Sequence, residues 1–333
     1  MINVLPRGLR PAFLGLLALS AVAGQPADAQ TYPTRPVKLI TQGAAGSGPD
    51  VIARVVGDAF SRLWGQQVLI LNHTGAGGSA AARVAAGAGA DGYTLYMPAT
   101  SAFIVMPEMF PNLPFNLDRD FVRIGFVGEQ PMIIAAAPAL GVKTLPELIA
   151  LSKQRPGQTF YAANARGTLP HLTGERFRSE AGADLTFVPY PGAAAGLQDL
   201  IGGRIHVIVE GTSALSGAMQ GGIVRALAVA STKRLADLPD LPTVGETLPG
   251  FTAMGWFPLL APTGTPPAIV DKVNADLRTV LAQPELQKRF RDLGTFVRPM
   301  SPDEVTAFIR NEQNVWRPVV RQIGFGSAVP GQR

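Results

Sequence analysis

Leu39-Ile40-Thr41-Gln42-Gly43-Ala44-Ala45-Gly46-Ser47-Gly48-Pro49-Asp50 is the stretch that decides the fold: an apolar strand breaks into a glycine-rich turn and runs on into a helix that begins near Val51. Glycines at 43, 46 and 48 let a ligand approach main-chain N–H groups, because no Cβ stands in the way. The helix behind them aims its unpaired N–H groups and the positive end of its dipole back at the turn. Pro49 suits that first turn, since the N–H it lacks has no intrahelical partner there. This chemistry favours a small anion held by Gly43, Ala44, Ala45, Gly46, Ser47, Gly48 and Asp50; the alternative is a tight strand-to-helix connection that holds nothing.

Outward from this turn, short apolar runs alternate with alanine-rich or amphipathic segments, the pattern of an α/β protein whose strands are joined by crossover helices in mainly parallel sheets. Strands are expected at 37–41, 68–72 and 94–97, with helices at 51–64 and 80–88. The polar turn Ala99-Thr100-Ser101 follows the third strand, where open α/β sheets place ligand contacts. From about Gln130 the same grammar restarts, with strands at 132–136, 159–163, 184–189, 205–210 and 225–231 and helices at 145–153 and 194–202. Within it, Asn164-Ala165-Arg166-Gly167-Thr168-Leu169 feeds Pro170-His171, a second glycine-containing turn that opens a helix on a proline. The strand ending at Glu210 leads into Gly211-Thr212-Ser213. The proline-punctuated stretch 238–251 reads as a crossing back to the first unit, followed by a strand at 256–261 and helices at 268–282, 285–293 and 302–323. The expected division is a leader at 1–29, one lobe from 30–130 with 251–333, and a second from 131–250.

The leader rests on Arg7, Arg10, the apolar run 12–23 and Ala27-Asp28-Ala29, which together read as a secretory signal cut after Ala29. That run is shorter than the roughly 20 apolar residues needed to span a bilayer. The expected location is therefore the periplasm. The sequence has no cysteine, which rules out disulfides and thiolate metal sites. With 47% hydrophobic and 16% charged residues it should pack a core, and a net charge of +5 without a basic stripe suits small anionic ligands, not nucleic acid.

Catalysis needs a constellation that is missing. There is no Gly-x-Ser-x-Gly elbow, no His-Glu-x-x-His pair and no Walker lysine. His171 and Glu175 are four apart, but two ligands do not make a metal site. Gly75-Ala76-Gly77-Gly78-Ser79-Ala80 fits a dinucleotide fingerprint, yet the acid that should hold the ribose is absent, because the next strand, 94–97, stops at Pro98. An exported α/β oxidoreductase or hydrolase stands as the alternative function. No cofactor is expected.

Several motifs in order resemble the Bug family, the extracytoplasmic solute receptors of tripartite tricarboxylate transporters, also called the TctC family. They include Tyr32-Pro33-Thr34-Arg35-Pro36-Val37, the glycine loop with Asp50, Asp91-Gly92-Tyr93-Thr94-Leu95, His171-Leu172-Thr173-Gly174-Glu175, Val188-Pro189-Tyr190-Pro191-Gly192 and Leu238-Pro239-Asp240-Leu241-Pro242-Thr243. The resemblance runs from about 31 to 325. It implies a two-lobed, type II-like periplasmic binding fold with two interlobe crossings. It also implies that the loops 43–50 and 164–171 hold a small carboxylate, largely through backbone groups and waters. Di- and tricarboxylates, acidic amino acids and aromatic carboxylates are the ligands of this family, and membrane transporter subunits are its partners. A monomer that binds a di- or aromatic carboxylate, for a tripartite tricarboxylate-type transporter or as a sensor, is the expectation here.

Departures from the family pattern concern the ligand more than the fold. Gly43 replaces an aromatic residue that usually walls the pocket, Arg166 replaces a small or amide residue, and Glu210 takes the usual aspartate position. Arg166 is a candidate for bidentate pairing with a ligand carboxylate. Glu210 is a candidate to receive a ligand amino or hydroxyl group, to repel a further carboxylate or to cap a helix. The hydroxyls of Thr100, Ser101, Thr168 and Thr212, with Gly192, complete the expected site. Two helix ends supply at most about 4 kcal/mol for an anion, while micromolar binding needs about 8, so closure of the lobes must supply the rest.

Overall fold

The computed structural model describes Met1, residues 32–109 and residues 112–322. The expected leader, apart from Met1, lies outside the described residues. Strand β1 (Val37–Thr41) is buried except at Lys38, as a strand covered on both faces must be. It runs through the glycine turn into α1 (Gly48–Trp64), which buries Ile52, Val55, Val56 and Phe60 and stops at Gly65 in the left-handed region. β2 (Val68–Asn72), α2 (Ser79–Ala86) and β3 (Thr94–Met97) complete this βαβ layer, with β2 and β3 parallel to β1 on either side. Two short helices follow, α3 (Ser101–Ile104) and α4 (Met106–Met109).

Strand β4 (Phe121–Ala136) spans 16 residues and is the axis of the molecule. Beyond it come α5 (Leu145–Gln154), β5 (Phe160–Asn164), α6 (Leu169–Ala181), β6 (Thr186–Tyr190), α7 (Ala193–Ile201), β7 (Val207–Gly211), α8 (Thr212–Gln220) and β8 (Arg225–Val229). The chain then returns through β9 (Met254–Pro262), α9 (Pro267–Leu281), α10 (Pro284–Asp292), β10 (Phe296–Val297) and α11 (Pro302–Gln322). The strand order is β2-β1-β3-β9-β4-β7-β5-β6, with β8 and β10 also on β4. The outer strands are parallel, as crossover helices require, whereas β4 runs antiparallel to β7, β8, β9 and β10.

One curled, helix-flanked sheet thus serves two lobes through β4. Its first half, Phe121 to Pro131, pairs with β9, and its second half, Met132 to Ala136, with β7. A strand is expected from sequence only at 132–136. The preceding stretch contains Gly125, Gly128 and Pro131, which argue against a strand. Packing explains two of them: a Cβ on Gly128 would sit 2.5 Å from the Phe296 carbonyl oxygen, and one on Gly125 would sit 3.0 Å from both Asn274 and Leu277. The second passage between lobes is fixed by main-chain bonds, Met132 N–H to Ala253 O at 2.9 Å and Ala253 N–H to Ala230 O at 2.8 Å.

Candidate ligand-binding cleft

Parallel strands present their C-terminal ends on one side, and here those ends meet across a shared cavity. The turns after β1, β2, β3 and β5, together with the end of β7, line it, while β4 contributes Gln130 and Met132 and β9 contributes Gly255 and Phe257. It measures about 90 Å³. At roughly 10–15 Å³ for each water-sized group, that suits a small metabolite and is too little for a dinucleotide.

Nine of the residues expected from sequence line this cavity: Gly43, Ala44, Ser47, Thr100, Ser101, Asn164, Ala165, Thr168 and Glu210. Both glycine turns and both helix N-termini therefore face one space. Ser47 and Thr168 occupy the N-cap positions of α1 and α6, yet neither side chain caps its helix. Their hydroxyls, with Asn164 Oδ1 and Glu210 Oε1, are buried without a hydrogen-bond partner among the described residues. Buried polar atoms are rarely left so, and four around one cavity mark where a polar guest would bond.

The other expected residues support this wall from behind or lie away from it. Asp50 is buried and binds its own loop: Gly46 N–H donates to it at 2.9 Å, Asn72 Nδ2 at 2.8 Å and Arg54 Nε at 3.0 Å. Burial alone would push its carboxyl up, but the bonds from Arg54, Asn72 and Gly46 outweigh that and hold it below the usual carboxylate range. Ala45 and Gly46 belong to the same loop, Gly48 opens α1, and none of the three lines the cavity. His171 is 1% exposed, and its Nδ1 accepts from Gly167 N–H at 3.3 Å, fixing the second turn. Gly192 packs on Ala44 from the facing lobe. Thr212 points elsewhere, donating to Gly294 O at 2.8 Å. Arg166 is exposed, with its guanidinium 5.5 Å from the centre of the Phe187 ring, so the bidentate role has no geometric support in this arrangement.

Sequence reasoning missed three contributors. Gln42 bridges the first and third turns, donating from Nε2 to Ser101 Oγ at 2.8 Å and accepting Ala99 N–H at 3.3 Å. Gln130 sits where β4 passes between lobes, and its Oε1 accepts Ser213 N–H at 3.1 Å. The turn after β2 brings Thr74, Gly75, Gly77 and Gly78 to the cavity. Its glycines were visible as a dinucleotide-like pattern, and the left-handed φ at Gly75, Gly77 and Gly78 explains their presence without a nucleotide. Gly78 also lets the turn touch Gln42, since a Cβ there would lie 2.6 Å from Gln42 Oε1.

No lysine, arginine or histidine lines the cavity among the described residues, which leaves the backbone dipoles at the N-termini of α1 and α6 as the groups that favour an anion. The first turn of α1 already contains Asp50, whereas the first turn of α6 contains no acid. Glu210 is the single titratable side chain in the lining, 2% exposed, and burial pushes it up from 4.5 to about 7 against the bonds from Gly211 N–H and the Asn164 side chain.

A cleft of metabolite size, lined by turns from both halves of the chain, is the arrangement of a solute-binding protein. The model of the TctC family, the tripartite tricarboxylate transporter family receptors, matches residues 52–325. Protein BugT of Bordetella pertussis (strain Tohama I) is 34% identical over 315 residues, covering 94% of this chain and 97% of that protein. A Rhodopseudomonas palustris protein solved with adipate aligns with a TM-score of 0.84 at 30% identity, covering 88% of this chain and 98% of the other. MatC from the same species, solved with bound malate, aligns with a TM-score of 0.80 at 30% identity over 87% and 100% of the two chains. The chain belongs to the TctC family of solute receptors, whose members are receptors and not enzymes.

Proposed function

We propose that this protein captures a small carboxylate, a di- or aromatic carboxylate, in the cleft between lobes 30–130 with 251–333 and 131–250, and releases it unaltered. It works in the periplasm as a monomer without a cofactor, and its partners are the ligand and the membrane subunits of a tripartite tricarboxylate-type transporter. The observation that carries this reading is the convergence of both glycine turns, with the N-termini of α1 and α6, on a single cavity. The adipate and malate bound by the two R. palustris relatives add support for the ligand class. Because two helix ends fall short of micromolar affinity by about 4 kcal/mol, direct hydrogen bonds to Ser47, Asn164 and Thr168 in a water-poor closed cleft make up the difference.

A thermal-shift and calorimetric screen of the protein without residues 1–29 tests it, using mono-, di- and tricarboxylates. A cognate carboxylate present at 100 times its dissociation constant adds about 2.7 kcal/mol of stability. Absence of any saturable carboxylate binding, or chemical turnover of the bound compound, overturns the reading.

A further inference from the structure

Resting on the carboxylate-receptor reading, we infer that Glu210 receives the ligand as a neutral carboxylic acid, with Oε1 donating a hydrogen bond to a ligand carboxylate oxygen, so that capture of each ligand brings one proton into the closed cleft.

The geometry leads there in three steps. Among the described residues the cavity has no cationic side chain to neutralise an anion, and the one titratable group in its lining is itself an acid. Glu210 lines the cavity, and of its two oxygens Oε2 accepts Gly211 N–H at 2.8 Å while the buried Oε1 has no hydrogen-bond partner among the described residues. A second carboxylate brought against that oxygen cannot share a dry site with an ionised Glu210, because two like charges at contact distance force one of them to hold a proton. The shared proton then bonds Oε1 to the ligand, and the orphaned oxygen gains its partner.

The bonds from Gly211 N–H and the Asn164 side chain favour the ionised carboxylate, and burial outweighs them. On α6, His171 stays neutral, Glu175 accepts the Tyr161 hydroxyl from β5 at 2.6 Å, with Arg178 beside it, and Arg176 pairs with Glu180 and the Thr252 carbonyl. On α7, Asp199 pairs with Tyr190 and Arg204. On β4, Arg123 pairs with Asp118 and Glu129 with Arg298. Helix α8 carries no charged side chain. None of these groups acts on Glu210, whose carboxyl burial already raises to about 7.

The test is calorimetry between pH 6.5 and 8.5 with succinate, glutarate and adipate, which are fully ionised there and carry no hydroxyl or amine for Glu210 to accept. The titrations are repeated in buffers of different ionisation heat to count protons. Expected for the unaltered protein is a loss of affinity approaching tenfold per pH unit above 7, with net uptake approaching one proton per ligand at pH 8.5. Glu210→Gln presents a fixed N–H donor, so its affinity should not change with pH. Saturable diacid binding with a flat pH profile and no proton uptake overturns the inference, as does a Glu210→Gln variant that keeps the unaltered protein's pH slope. Binding of malate or aspartate alone, undiminished at high pH, makes Glu210 an ionised acceptor and overturns it too, while leaving the receptor reading intact. Failure of every carboxylate at every pH removes both.

Discussion

Buried residues beside the cleft stabilise its loops at a cost that depends on pH. Burial, and then Arg166 and Arg178, pull His171 down from 6.5 to about 3, so the native state keeps it neutral with Nδ1 accepting from Gly167 N–H. The unfolded chain binds a proton below 6.5 that the native state refuses, so stability is complete above 6.5 and lost as pH falls toward 3, at about 1.4 kcal/mol per unit. His171→Asn offers Oδ1 to the same N–H and does not titrate. Urea unfolding at pH 7 and pH 4.5 should therefore show a smaller acid loss in the variant; equal losses would remove His171 from the account. Asp50 acts on the first loop, tying Gly46, Asn72 and Arg54 together. Asp50→Ala should lower stability by about 2–3 kcal/mol, because three donors lose one acceptor, and should weaken ligand binding as the turn loosens; a stable variant with unchanged affinity would show that the loop holds its shape without it.

At the level of elements, what could be read from the chain followed local periodicity. β1, β2, β3 and the helices α1, α5, α7 and α9 were legible, within a few residues, because apolar spacing and glycine or proline punctuation agree there. Gly43 and Thr168 were legible as cavity residues because a strand, a glycine turn and a helix N-terminus occur in one run. Phe121 to Pro131 was not, since Gly125 and Gly128 are there to admit α9 and β10, partners far away in sequence. Gln130 was hidden for the same reason: its role depends on α1 and α8 arriving on either side. Gly48 shows how tight that junction is, as a Cβ there would lie 2.5 Å from Gln130 Nε2 and 3.2 Å from Ser213 Oγ. Gly48→Ala should push Gln130 off Ser213 N–H, costing about 1–3 kcal/mol as overpacking does. Chemical denaturation reads that loss, and an unaltered midpoint would mean that Gln130 swings aside freely.

The whole molecule works, on the proposed reading, by closing, and the seam between its lobes can be disturbed without touching the ligand. Gly192 has φ −177°, extended backbone open to any residue, so a side chain there strains nothing within its own lobe. Across the seam, however, a Cβ would stand 3.3 Å from Ala44 Cβ and 3.6 Å from the Ala45 carbonyl oxygen. On the proposed reading, a valine at this position therefore disfavours the form in which the first loop seats on the second lobe. Since apparent affinity falls by the fraction of molecules able to close, a penalty of about 1.4 kcal/mol on closure weakens binding about tenfold. Gly192→Val should melt like the unaltered protein without ligand, bind a carboxylate more weakly, and need more of it to bring the compaction seen by small-angle scattering. Equal affinity in the two proteins would mean that capture does not require the first loop to seat on the second lobe.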